Sequence, residues 1–135
     1  MSRYDLLIEH VARREEAITR ELGQIRDALA ACGRLIASYG EARDAAGRGL
    51  APQEHPLYLA YCTRLAGMEA KARGDLAELE RHEDDTRARL LQIHQRRRSF
   101  EHLAAKEVRR VRTRAERRMQ READEIAARR WLEAR

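Results

Sequence analysis

Five histidines, two cysteines, a scatter of hydroxyls and a dense arginine run are the residues of this chain that could do chemistry. His10, His55, His82, His94 and His102 never stand four apart, and no HExxH, CxxC or Cys/His cluster occurs, so the spacing that brings metal ligands onto one helix face is missing. Gly47-Arg48-Gly49 has the glycines of a phosphate cradle, but a proline-containing turn follows it and no lysine-serine or lysine-threonine pair is present. Ser38, Ser99, Thr19, Thr63, Thr86 and Thr113 could serve as nucleophiles only in a pocket that excludes water and fixes a base beside them. The sequence therefore predicts no cofactor, no metal and no enzymatic activity.

The arginines are a different matter. Residues 1–95 carry 14 basic and 16 acidic side chains, whereas residues 96–135 carry 14 basic and 7 acidic. Between Arg96 and Arg121 the ratio is 11 to 3, enough to attract an anionic surface, whether carboxylate-rich protein, nucleic acid or lipid headgroups. The basic residues fall around the whole circumference of a helix. Phe100 and Trp131 are the only rings after Tyr61, so the alternation of rings and charges typical of single-strand binding is absent.

The elements that must hold these residues are written in the apolar period. Tyr4, Ile8, Val11, Glu15, Ile18, Leu22, Ile25, Leu29, Cys32, Ile36, Tyr39, Arg43 and Ala46 follow one another in alternating steps of four and three, and all but Glu15 and Arg43 are apolar or aromatic. That is the seam of a helix requiring a partner helix along its length. A second seam reads Tyr58, Tyr61, Leu65, Met68, Ala72, Leu76, Leu79, Glu83, Thr86, Leu90, Ile93, Arg97, Phe100, Ala104, Val108, Val111, Ala115 and Met119, with extra steps of four near Leu76 and Val108 that read as stutters. With 38% charged residues and a mean hydropathy of -0.77, the chain has material for a seam and not for a thick core.

Between the seams, the segment from Gly47 to Pro56 contains both prolines and two of the seven glycines. The predicted fold is all-α: a single antiparallel two-helix coiled-coil hairpin over 1–135, with helix 1 at about 3–46, the turn at about 47–56 and helix 2 at about 57–131. Ser2 is the expected N-cap of helix 1. At 1.5 Å per residue the arms measure about 65 Å and about 110 Å, so the second helix overhangs.

Folding the arms about residues 50 and 51 sets Tyr4 near Arg97, Arg43 near Tyr58, Gly33 opposite Gly67, and Glu15 near Thr86 and Arg87. Glu15 with Arg87 is then a candidate polar layer fixing the register. Cys32 and Cys62 fall about 12 Å out of step, too far for a disulfide. No segment approaches the ~20 apolar residues of a membrane span, and the first 16 residues lack the apolar core of a signal peptide, so the expected location is cytoplasmic.

Several segments together resemble the FliJ family of flagellar export and its injectisome counterpart, the YscO family. They are Leu-Gly-Gln-Ile in helix 1 (Leu22 to Ile25), the run Tyr58, Tyr61, Leu65, Met68 at the start of helix 2, and the arginine-rich end from Arg121 to Arg130. The resemblance implies a stalk similar to the central coiled-coil subunit of rotary ATPases, peripheral to the inner-membrane export apparatus. It implies that the open end of the hairpin enters a hexameric secretion ATPase, that the turn-proximal half reaches the cytoplasmic domain of the export gate, and that export chaperones are a further partner class. For this chain the implied gate contacts are Tyr39, Tyr61, Leu65 and Met68. The implied ring contacts are Arg109, Arg112, Arg114 and Arg117.

Two other readings compete. A basic coiled-coil arm could bind nucleic acid with a steep salt dependence. The apolar line Val108, Val111, Ala115, Met119 and Ile126, which helix 1 cannot reach, could instead pair weakly with a second copy of an otherwise monomeric chain.

Overall fold

The computed structural model describes residues 3–48 and 56–135. It is an all-α helical hairpin, in which α1 spans Asp5–Gly47 and α2 spans Pro56–Glu133, each bound within two residues of the sequence expectation. Ser2 and the middle of the turn, 49–55, lie outside the described residues. Asp5 stands in the first turn of α1, where its charge suits the exposed amides, and the backbone N–H of Ile8 donates to the carbonyl of Tyr4 at 2.9 Å. Pro56 opens α2 in the position where a missing N–H costs nothing. Arg130 lies in its last turn, against the negative end of the helix dipole.

Both helices run through two compact units, Glu15–Gln92 and Met1–Arg14 with Ile93–Arg135. In the unit Glu15–Gln92, the 4-3 pattern of α1 is obeyed throughout: Ile18, Leu22 and Ile25 are buried, and Glu15, Leu29, Cys32, Ile36, Tyr39, Arg43 and Ala46 are half-buried. On α2 the covered positions are Tyr58, Cys62, Leu65, Glu69, Ala72, Leu76, Leu79, Glu83, Thr86 and Leu90. This run alternates steps of four and three without interruption, which corrects the expected stutter near Leu76. The sequence pattern seats Tyr61 and Met68 in the seam; the helix phase seats Cys62 and Glu69 there instead.

Charge explains why a glutamate occupies that position. Glu69, almost covered, forms an ion pair across the hairpin with Arg43 and another along its own helix with Arg73 at 2.9 Å. Arg43 was expected beside Tyr58, but the phenol of Tyr58 lies instead over Gly47, 3.3 Å from where a Cβ would stand. A second polar layer lies farther along. Thr86 is fully buried, its hydroxyl accepts from Arg89 at 3.2 Å, and Arg89 also reaches Glu21 on α1 at 2.9 Å, with His82 Nε2 3.6 Å from the same carboxylate. This layer joins Glu21 of α1 to Thr86 and Arg89 of α2, and Arg87, expected beside Glu15, is exposed.

The other unit is shorter-seamed. Val11 on α1 and Ile93 on α2 are buried, with Tyr4 and Ile8 opposite Arg97, Phe100, Ala104 and Glu107 at intermediate exposure. Arg3 Nε lies 3.7 Å from Glu107 across the pair. Beyond Glu107 every residue of α2 is exposed, so the overhang begins there, and Val108 lies outside the covered seam.

Candidate partner-binding surfaces

In the unit Glu15–Gln92 the corrected phase turns Tyr61 and Met68 outward. They are seven residues apart on one edge of α2, 45% and 41% exposed, and Asp75, His82 and Arg89 continue the same row. The contacts of Glu21 with both His82 and Arg89 identify the matching edge of α1, which at steps of seven carries Ala28, Leu35 and Ala42. The same register sets Ala42 level with Tyr61 and Met68, and Leu35 level with Met68 and Asp75. Leu35, 45% exposed, and Ala42 therefore join Tyr61 and Met68 in one apolar edge.

The other two implied gate residues sit differently. Leu65 is 7% exposed and packs inside the seam, so it supports the edge from behind and presents no surface of its own. Tyr39 is half-buried in the α1 seam. Sequence reading missed Leu35 and Ala42. The signal was available in Arg43, whose charge needs an acidic partner in the facing seam, and Glu69 is that partner.

The two thiols have separate neighbours, Cys32 on α1 and Cys62 near the start of α2. Cys32 Sγ donates to the carbonyl of Ala72 at 3.2 Å, and both cysteines are free. The Tyr58 phenol is held above its ordinary range, first by its side-chain hydrogen bond with Cys62, which favours the protonated ring, then by partial burial and the nearby Asp44.

In the other unit, Arg109, Arg112, Arg114 and Arg117 are all exposed on the uncovered part of α2. At about 100° per residue, Arg109 and Arg112 share one side, Arg114 and Arg117 the other. They do not converge on a single point, as a bound small anion would require. They suit a surrounding anionic surface instead. A shallow groove of about 170 Å³ lies where α1 begins, lined by Arg3, Tyr4, Leu103, Lys106, Glu107 and Arg110. It is open to solvent and offers three cations against one carboxylate.

The histidines do not assemble. Among the described residues no group of three or more histidine, cysteine or acidic side chains is arranged to hold a metal, and His55 lies outside them. Among the same residues no helix is long and apolar enough to cross a membrane.

The family model of the flagellar FliJ protein matches residues 1–135. The chain belongs to the FliJ family. No curated protein and no solved structure matches it. FliJ membership covers both units and places the chain among the structural, stalk-type proteins of flagellar type III export. The hairpin and its uncovered arginine-rich helix are accordingly the FliJ coiled coil as this sequence builds it.

Proposed function

We propose that this FliJ-family chain is the non-enzymatic central stalk of a type III export apparatus, working at the cytoplasmic side of the membrane. Its uncovered helix after Glu107 enters the ring of the hexameric secretion ATPase. The edge formed by Tyr61 and Met68, with Leu35 and Ala42, meets the cytoplasmic domain of the export gate. The observation that carries the reading is the division of charge: Met1–Arg14 with Ile93–Arg135 holds 17 basic against 9 acidic residues, while Glu15–Gln92 holds 11 against 14. One unit thus attracts an anionic lumen over a Debye length of about 8 Å, and the other has no such excess to recruit one.

The test is stimulation of the cognate secretion ATPase. Added in excess, the purified protein raises the rate of ATP hydrolysis by that hexamer. The triple variant Arg109→Glu/Arg112→Glu/Arg114→Glu, checked for unchanged helicity, abolishes the increase. Full stimulation by the variant contradicts the ring assignment.

A further inference from the structure

The face of α2 that α1 covers does not end where α1 does. It is half-covered at Arg97, Phe100 and Ala104, with Glu107 covered at its border, and it continues on the same side as Val108, Val111, Ala115, Met119, Glu122 and Ile126. The steps from Arg97 onward run three, four, four and repeat every eleven residues, the spacing that keeps a stripe nearly straight along a helix. Val108 is 55% exposed, Val111 60%, Met119 67% and Ile126 52%, so the continuation is bare. The arginines of this stretch avoid it: at about 100° per residue Arg112 borders one side, Arg114 and Arg118 the other, and Arg110 and Arg121 lie roughly 120–140° away.

We propose that this stripe is the seat of one amphipathic helix from a partner protein, acidic along both flanks. Three observations select that occupant. The stripe continues an existing helix-on-helix seam, so its shape is already that of a surface on which a helix lies. Its small and β-branched residues, with Ala115 in the middle, admit close approach of another backbone. The three basic residues that border it, Arg112 on one side and Arg114 and Arg118 on the other, call for carboxylates on the incoming helix. The same residues oppose pairing with a second copy, which would set like charges against each other. A lipid surface fits less well, because Glu122 interrupts the stripe and no Leu, Phe or Trp anchors it. The seat exists whether or not the ATPase ring is what supplies the helix.

The probe is a designed helical peptide of 21 residues, leucines at the same three-four-four spacing, glutamates on both flanks and one lysine level with Glu122. Its binding to the full chain is followed by fluorescence anisotropy at physiological ionic strength. The wild-type chain binds it, and Val111→Ser/Met119→Ser weakens binding about tenfold or more. Arg110→Glu/Arg121→Glu, whose side chains lie away from the stripe, shifts affinity by less than about threefold, because charges beyond a Debye length are screened. A flat titration overturns the proposal. So does the reverse pattern, in which the arginine variant fails and the serine variant binds normally, since that is attraction to charge alone. Phosphatidylglycerol vesicles that compete with the peptide equally well, with the same dependence on Val111 and Met119, replace the helix with a membrane and also overturn it.

Discussion

Glu69 and Arg43 occupy facing seam positions that apolar residues would ordinarily fill, and they meet there in an ion pair across the hairpin. Removing Glu69, whose side chain is 12% exposed, takes the partner from both Arg43 and Arg73, whereas replacing both seam charges by apolar side chains removes the desolvation cost together with the attraction. Glu69→Ala is therefore expected to lower stability by about 1–3 kcal/mol in urea unfolding. The double variant Arg43→Leu/Glu69→Leu recovers most of that loss; a double variant as unstable as the single one would mean that the pair does more than satisfy itself. This pair also marks how far residue-level reading reached. All thirteen seam positions of helix 1 were legible because size and phase agree there. On helix 2 they conflict: Tyr61 is larger than Cys62, Met68 and Val108 are more apolar than Glu69 and Glu107, and ranking by size and hydrophobicity shifts the seam by one residue at three places. Tyr61 and Met68, which the shift misplaces, belong to the outward edge, and Leu35 and Ala42 become visible only once that edge is located.

At the scale of the helices, four glycines stand where a helix gains nothing from them. Gly23, Gly33, Gly67 and Gly74 are exposed, and a Cβ built at any of them meets nothing within 4 Å. Gly33 and Gly67, which the sequence allowed to face each other in close approach, make no such contact. Each glycine loosens its helix through the freedom of the unfolded chain, so alanine at each position is expected to raise stability by roughly 0.5–1 kcal/mol, nearly additively for separated sites. Gly47 is the contrasting case. Its Cβ would stand 3.3 Å from the Tyr58 hydroxyl, so Gly47→Ala gains less or loses. Equal stabilisation at Gly47 and Gly23, measured by thermal unfolding, would show that the phenol moves aside without penalty. The helix bounds themselves were readable to within two residues, because the proline at position 56 and the period of the seam mark them strongly. The relative alignment of the helices was not, since it depends on where ion pairs close and not on where the turn is centred.

At the scale of the whole chain, the arginine-rich end was plain from composition, and its uncovered state follows from arms of unequal length, 43 and 78 residues. What composition could not supply was the arrangement within that end. Arginines that look evenly spread in a list leave one sector of the helix to Val108, Val111, Ala115, Met119 and Ile126, and that sector prolongs the seam. The two units therefore carry surfaces of different chemistry: an apolar edge on a slightly acidic unit, and a basic helix with an apolar stripe on the other.

If these surfaces serve different partners in one export apparatus, as proposed, their defects separate. Two variants of the full chain, Tyr61→Ala/Met68→Ala and Arg109→Glu/Arg112→Glu/Arg114→Glu, are measured side by side for binding to the purified cytoplasmic domain of the export gate and to the secretion ATPase. The expected result is a crossed loss: the first variant loses the gate domain by about tenfold or more and keeps the ATPase, while the second does the reverse. Both variants losing both partners together, or neither losing either, would contradict that division of surfaces.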